Sequence, residues 1–195
     1  MTLHYLSEPI AHATADLLGG KGLRLHEMLL EGVPVPPAFA ITTEACRAYM
    51  ASPKDVMAVV RSSYIPTIID RFTALFGYMP LVSVRSGAKI SMPGMMDTIL
   101  NVGLTHANAG EWKDRLGLQC RNDCALRLAD MFMDVVGIEP PDTLEAQLEA
   151  AIEAVFKSWG NERAQTYRDL HGIPHDLGTA VVIQAMVFGN ADDQS

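Results

Sequence analysis

Two short runs of this 195-residue sequence hold residue types suited to gripping a phosphate. Gly19-Gly20-Lys21-Gly22 precedes apolar residues at Leu25, Met28 and Leu29, the spacing of one helix face. Glycines let a backbone approach an anion closely, the first N–H groups of a helix lack internal partners, and a lysine adds a point charge. The spacing is not that of the P-loop, G-x-x-x-x-G-K-[ST], and a glycine turn ahead of a surface helix is the plainer account of the tetrapeptide taken alone. The second run, Ser83-Val84-Arg85-Ser86-Gly87-Ala88-Lys89, puts an arginine at the expected end of a strand, where its guanidinium can fork onto phosphate oxygens. Pairing with a surface carboxylate accounts for it equally well on chemistry alone. Ser91 to Thr98 then sets three methionines around Pro93-Gly94 with neither a helical nor a strand period, which reads as a flexible cover.

Other groups have plainer explanations. His171 and His175 are four apart, but Gly172 and Pro174 between them rule out a regular helix face, so exposed loop histidines are expected rather than a metal pair. Cys120 and Cys124 lie one helical turn apart and read as a packed pair. Glu145, Glu149 and Glu153 read as a solvated helix face. Asp97 could approach a nucleotide-bound Mg²⁺ or cap the segment that follows it, and the cap is the preferred reading.

The elements that must position these residues follow from periodicity and breakers. Leu3 to Leu6 is a short strand and Gly32 closes the first helix; three prolines lead to a strand at Phe39 to Ile41 and a helix from a Thr43 cap through Tyr49. Residues 54–76 read as helix with a break at Pro66, Leu81 to Val84 as a short buried strand, and Thr98 to Val102 as another. From His106 the texture changes. Cys124, Leu128, Met131, Phe132 and Val135 form one helical stripe, and Leu144, Leu148, Ile152 and Val155 a second, with Pro140-Pro141 between them. A helix over Glu162 to Leu170 leads to a strand over Ala180 to Phe188.

Composition narrows the class. With 49% hydrophobic residues the chain can bury a core, and its net charge of −8 argues against nucleic acid or an anionic membrane as a partner. Residues 1–105 carry 8 basic and 8 acidic groups; the acid excess lies downstream. Three cysteines without a C-x-x-C pattern fit a reduced, cytoplasmic setting, and the first residues show neither a signal peptide nor a membrane span.

LLGGKG with GVPVPPAFAITTEAC, LVSVRSGAKISMPGMMDTILNVGL, and SWGNERAQTYRDLHGIPHDLGTAVVIQAMVFGN together resemble the N-terminal nucleotide-binding region of the pyruvate phosphate dikinase family. MPGMMDT separates this family from phosphoenolpyruvate synthase and related dikinases, whose sequence after the VRS arginine is more acidic. The resemblance implies an α/β (α+β) fold. Residues 1–105 and 159–195 would form the first lobe of an ATP-grasp-like domain, and 106–158 a helical insert subdomain, loosely similar to the family's and shorter. ATP is the implied ligand, with Lys21 and Arg85 on its phosphates (Arg85 as the catalytic contact) and Gly94 and Met96 closing over them. Gln184 to Val187, including Met186, would be a strand edge leading to the hinge near the adenine. In that family ATP, pyruvate and phosphate yield phosphoenolpyruvate, the β-phosphoryl group passing through a histidine on a separate swivelling domain.

The sequence stops at GNADDQS, where the resemblance implies continuing through a Ser-Gly-Thr-Gly type segment into a second lobe with Mg²⁺-binding carboxylates and a further glutamine. Neither these nor a Thr-Ser-His phosphohistidine motif occurs in the 195 residues. The expectation is an ATP-binding portion that is inactive alone and works with a second lobe or phosphohistidine domain on another chain. Uncovered apolar surface at Met92, Met95, Met96 and the hinge end of the last strand would favour a homodimer. The alternative is a non-catalytic stand-alone module that binds nucleotide or a protein.

Overall fold

The computed structural model describes residues 2–189. Five strands, β1 (Leu3–Tyr5), β2 (Ala38–Ile41), β3 (Val82–Ala88), β4 (Thr98–Val102) and β5 (Thr179–Ala185), form one sheet in the order β1-β2-β5-β3-β4. Every neighbouring pair is antiparallel. The last strand among the described residues is therefore the middle of the sheet, paired along its length with β3 and through Val181–Gln184 with β2. All seven of its residues are buried, including the β-branched Val181-Val182-Ile183, as a strand covered on both faces requires.

On one face lies α1 (Ala15–Leu30), whose Leu18 and Leu25 pack on Ala38, Ala40 and Val182. The other face carries the main core. Phe39, Ile41, Val84 and Ile183 meet residues of α2 (Thr43–Ala51), α4 (Ile65–Phe76), α6 (Leu118–Val135) and α7 (Leu144–Trp159) there. The period-2 alternation of β2, alanine towards α1 and Phe39 or Ile41 towards the thicker layer, sets how closely each layer can approach. The protein is thus a mixed α/β structure with a single antiparallel sheet between two unequal helical layers.

Helix α1 is kinked. Gly19 has φ 68° and ψ 167°, so the regular helix begins at Gly20. A Cβ at Gly19 would lie 1.3 Å from the Gly87 carbonyl oxygen, so the glycines are set by two backbones crossing and not only by what the lysine does. Residues 53–76 form α3 (Pro53–Val59), a π-helical turn (Val60–Tyr64) and α4. In place of a break at Pro66, the extra residue of the π turn is absorbed just before the proline, which sits in the first turn of α4.

Helix α5 (Ala109–Leu116) precedes α6, and α8 (Glu162–His171) follows α7, leading through a 3-10 turn (His175–Leu177) into β5. The two expected stripes are buried: Cys124, Leu128 and Phe132 on α6, and Leu148, Ile152 and Val155 on α7, all in the main core. Gln147 ties the segment just after β4 to the Pro140-Pro141 loop before α7. Its amide accepts from Gly103 N at 2.9 Å and donates to the Leu104 and Pro141 carbonyls at 2.9 and 2.8 Å.

Three expectations need correcting. Strand β3 continues through Ala88, so Arg85 sits inside a strand, opposite Thr98 and Val182, and not at its end. Strand β5 ends at Ala185, leaving Met186 and Val187 beyond it, and as the central strand it offers no edge near Gln184. Thr42, not Thr43, holds the cap position of α2, and neither side chain caps the helix; the Thr43 hydroxyl donates to the Asp16 carbonyl instead.

Candidate functional site

Between the first turn of the regular part of α1 and the β3–β4 loop lies an open cleft of about 660 Å³. Lys21, Arg24, Lys89, Met92, Gly94 and Met96 are among its lining residues, which include no aspartate or glutamate. Lys21 Nζ donates to the Ser86 carbonyl at 2.9 Å, held where α1 crosses β3. Desolvation, and secondarily the Arg85 charge, lowers its pKa. Lys89 pairs with Asp16 at 2.7 Å, but among the described residues Lys21, Arg24 and Arg85 have no carboxylate partner.

Arg85 is adjacent to this cleft and turns along the sheet. Its Nη2 donates to Gln184 Oε1, and Gln184 Nε2 in turn donates to the Pro36 carbonyl at 3.0 Å. Arg85 Nε is buried without an acceptor among the described residues, and desolvation lowers the guanidinium pKa. Lys21, Gly94 and Met96 therefore share one cleft, with Arg85 at its back and Gln184 holding Arg85. Met186 and Val187 stand apart. Met186 Sδ accepts from Asn101 N at 3.2 Å beside α6, and Val187 is 75% exposed.

Arg24 and Lys89 were not singled out from the sequence. Arg24 was legible, since i and i+3 share a helix face; Lys89 lies four residues after Arg85, at the start of the β3–β4 loop. The methionine loop is less open than a flexible cover would be: Met92 is 6% exposed, while Met95 and Met96 are half-buried against the main core. Ser158 Oγ, which donates to the Val155 carbonyl at 2.7 Å, lies 3.9 Å from Met96 Sδ. The apolar area expected to drive dimerisation is thus covered at the loop and open at Val187.

Among the described residues no backbone N–H of the following segment, β4, donates to the Asp97 carboxylate, so the expected cap is not formed; its backbone carbonyl accepts from Ser86 N at 3.4 Å. Burial raises its carboxyl pKa, and the Arg163 charge opposes that rise. Glu149 and Glu153 are not simply solvated: Arg61 forks onto Glu149, and the Tyr49 hydroxyl donates to Glu153 at 2.9 Å. His171 stacks on Tyr167 at the end of α8, while His175 lies between Arg168 Nε (3.0 Å) and Asp169 Oδ1 (2.8 Å). Cys124 is buried beside Cys120, and burial and its neighbour push its thiol up to about 11. No helix among the described residues is long and apolar enough to cross a membrane.

A family profile described as "Pyruvate phosphate dikinase, AMP/ATP-binding domain" matches residues 15–67 and 52–193. The chain is 39% identical to pyruvate, phosphate dikinase of Rhizobium meliloti (strain 1021), over 92% of this chain and 26% of that protein. It is 35% identical to the Clostridium symbiosum enzyme (92% and 27%) and 37% identical to pyruvate, phosphate dikinase 1, chloroplastic, of Arabidopsis thaliana (92% and 24%). The chain spans about a quarter of the length of the curated relatives it matches.

Proposed function

The chain belongs to the family of pyruvate phosphate dikinase AMP/ATP-binding domains, and from that premise we propose that its cleft between α1 and the β3–β4 loop receives the phosphates of ATP. One observation carries the reading: a chain of net charge −8 gathers Lys21 and Arg24, without a carboxylate partner among the described residues, around a cleft lined by no carboxylate, with Arg85 likewise unpaired beside it and Lys89, held by Asp16, at its edge. Cations left without counter-ions in a partly desolvated setting favour an anionic ligand, and a guanidinium can fork onto phosphate oxygens. Gln184 would hold Arg85 in place, and Gly94 and Met96 would close the outer wall.

In this reading the sheet and α1 are the first lobe of an ATP-grasp-like site, with 106–158 as its helical insert. A second lobe, or a phosphohistidine domain on another chain, would supply what the cleft lacks. Mg²⁺ does not fit the residues described: it needs carboxylate oxygens, the cleft lining has none, and Asp97 lies outside that lining with a raised pKa. The chain's part in forming phosphoenolpyruvate from ATP, pyruvate and phosphate is therefore to bind and orient the nucleotide, and alone it transfers no phosphoryl group.

The magnitudes favour weak binding. Each charged hydrogen bond to phosphate contributes about 1.5–3 kcal/mol, while fixing loop residues costs about 1–2 kcal/mol each. A dissociation constant on the order of millimolar, near −4 kcal/mol, is expected. Titrating ATP into the ¹⁵N-labelled chain should move resonances at residues 19–24 and 83–98. Shifts confined elsewhere, or equal binding by Lys21→Ala and Arg85→Ala, would overturn the assignment.

A further inference from the structure

A second cavity, of about 320 Å³, opens beside α6 and α7 and shares no lining residue with the cleft. Its walls are mostly apolar: Leu104, Ala109, Ala125, Leu128 and the Pro140-Pro141 pair. Three charged side chains also line it, namely Arg121, Glu139 and Asp142. Arg121 Nε is buried without an acceptor among the described residues. No ion pair joins Arg121 to either acid, and Asp142 instead holds His106 Nδ1 at 2.7 Å. Gln147, also in the lining, has both its amide groups engaged by backbone, so it offers a ligand nothing.

Cavities of this size with apolar walls and a few convergent polar groups are the usual form of a small-molecule site. The charges here select among ligands. A lone anion would meet Glu139 and Asp142, a lone cation would meet Arg121, and a neutral apolar molecule would leave Arg121 Nε unpaired. We propose that this cavity binds a free amino acid with an aliphatic side chain. Its carboxylate takes the Arg121 donor that lacks an acceptor, its ammonium faces Glu139, and its side chain lies on Ala125, Leu128 and the proline pair. The proposal does not depend on the ATP reading, since the two cavities are lined by different residues.

The test uses the full chain and L-leucine as probe, followed by ¹⁵N NMR. Saturable shifts at residues 104–109, 121–129 and 139–142, without shifts at 20–24, are expected. L-leucinamide, which lacks the carboxylate, and N-acetyl-L-leucine, which lacks the ammonium, should each bind at least about tenfold more weakly, the loss of one charged hydrogen bond. Arg121→Gln and Glu139→Gln should reproduce these two losses. Because the analogues act on unaltered protein, a variant that fails to fold leaves the test intact. Absence of saturable shifts at millimolar leucine, or equal affinity for leucine and leucinamide, would overturn the proposal.

Discussion

Lys21 donates to a neutral carbonyl and Arg85 to a neutral amide, so neither partner neutralises the charge it offers a ligand. Lys21→Ala and Arg85→Ala should each lower ATP affinity about tenfold or more, the equivalent of one charged hydrogen bond, with unchanged far-UV circular dichroism. Gln184→Ala should have a smaller effect, since it only releases Arg85. Gly19→Ala is a different kind of change: its Cβ would overlap the Gly87 carbonyl at a positive φ, and we expect loss of the folded chain, read as insoluble expression. The lysine and arginine were legible as chemistry. The reason for Gly19 was not, because its partner Gly87 lies far along the chain and nothing beside Gly19 marks the crossing. Cys46 adds a pH dependence. Burial pushes its thiol from 9.0 up to about 11, so the unfolded chain releases this proton first; the thiol's contribution is whole below pH 9 and is lost as pH rises towards 11. Wild type should lose about 2 kcal/mol more than Cys46→Ala over that range, measured by urea midpoints.

The strands and helices were legible wherever side-chain periodicity marks them, as in the α6 and α7 stripes and the β-branched run of β5. Boundaries failed where pairing decides them. Beyond Val84 the small and polar residues of β3 give no strand signal, yet the strand continues because Ser86, Gly87 and Ala88 pair with Val181, Ala180 and Thr179. The methionine loop failed for a related reason: it has no period, but its residues find the main core through α7. Its docked state can be measured. Met92→Ala should cost about 2–5 kcal/mol as a buried deletion, whereas Gly94→Ala, at φ 72° with open space around it, should cost only about 1–2 kcal/mol of backbone strain. Both are read from the denaturant midpoint.

At the scale of the whole molecule, the excess of acid lies in the region after residue 106, which contributes no carboxylate to the lining of the cationic cleft. Long-range attraction between the nucleotide and the chain as a whole is therefore absent, and binding rests on the local cations; it should weaken as salt rises towards 1 M, where screening reaches about 3 Å. The sheet order has a further consequence, in the time domain of synthesis. While the chain is emerging, β1 can pair with β2 and β3 with β4, but these two strand pairs share no edge until β5 arrives to lie between them. Until residue 179 is made, the ribosome presents two unjoined ladders whose inner edges are complementary to one strand not yet made. Such edges invite pairing with other nascent chains. A nascent chain stalled before residue 179 should accordingly be held by chaperones, and one that has exposed Ala185 should close its sheet and let go.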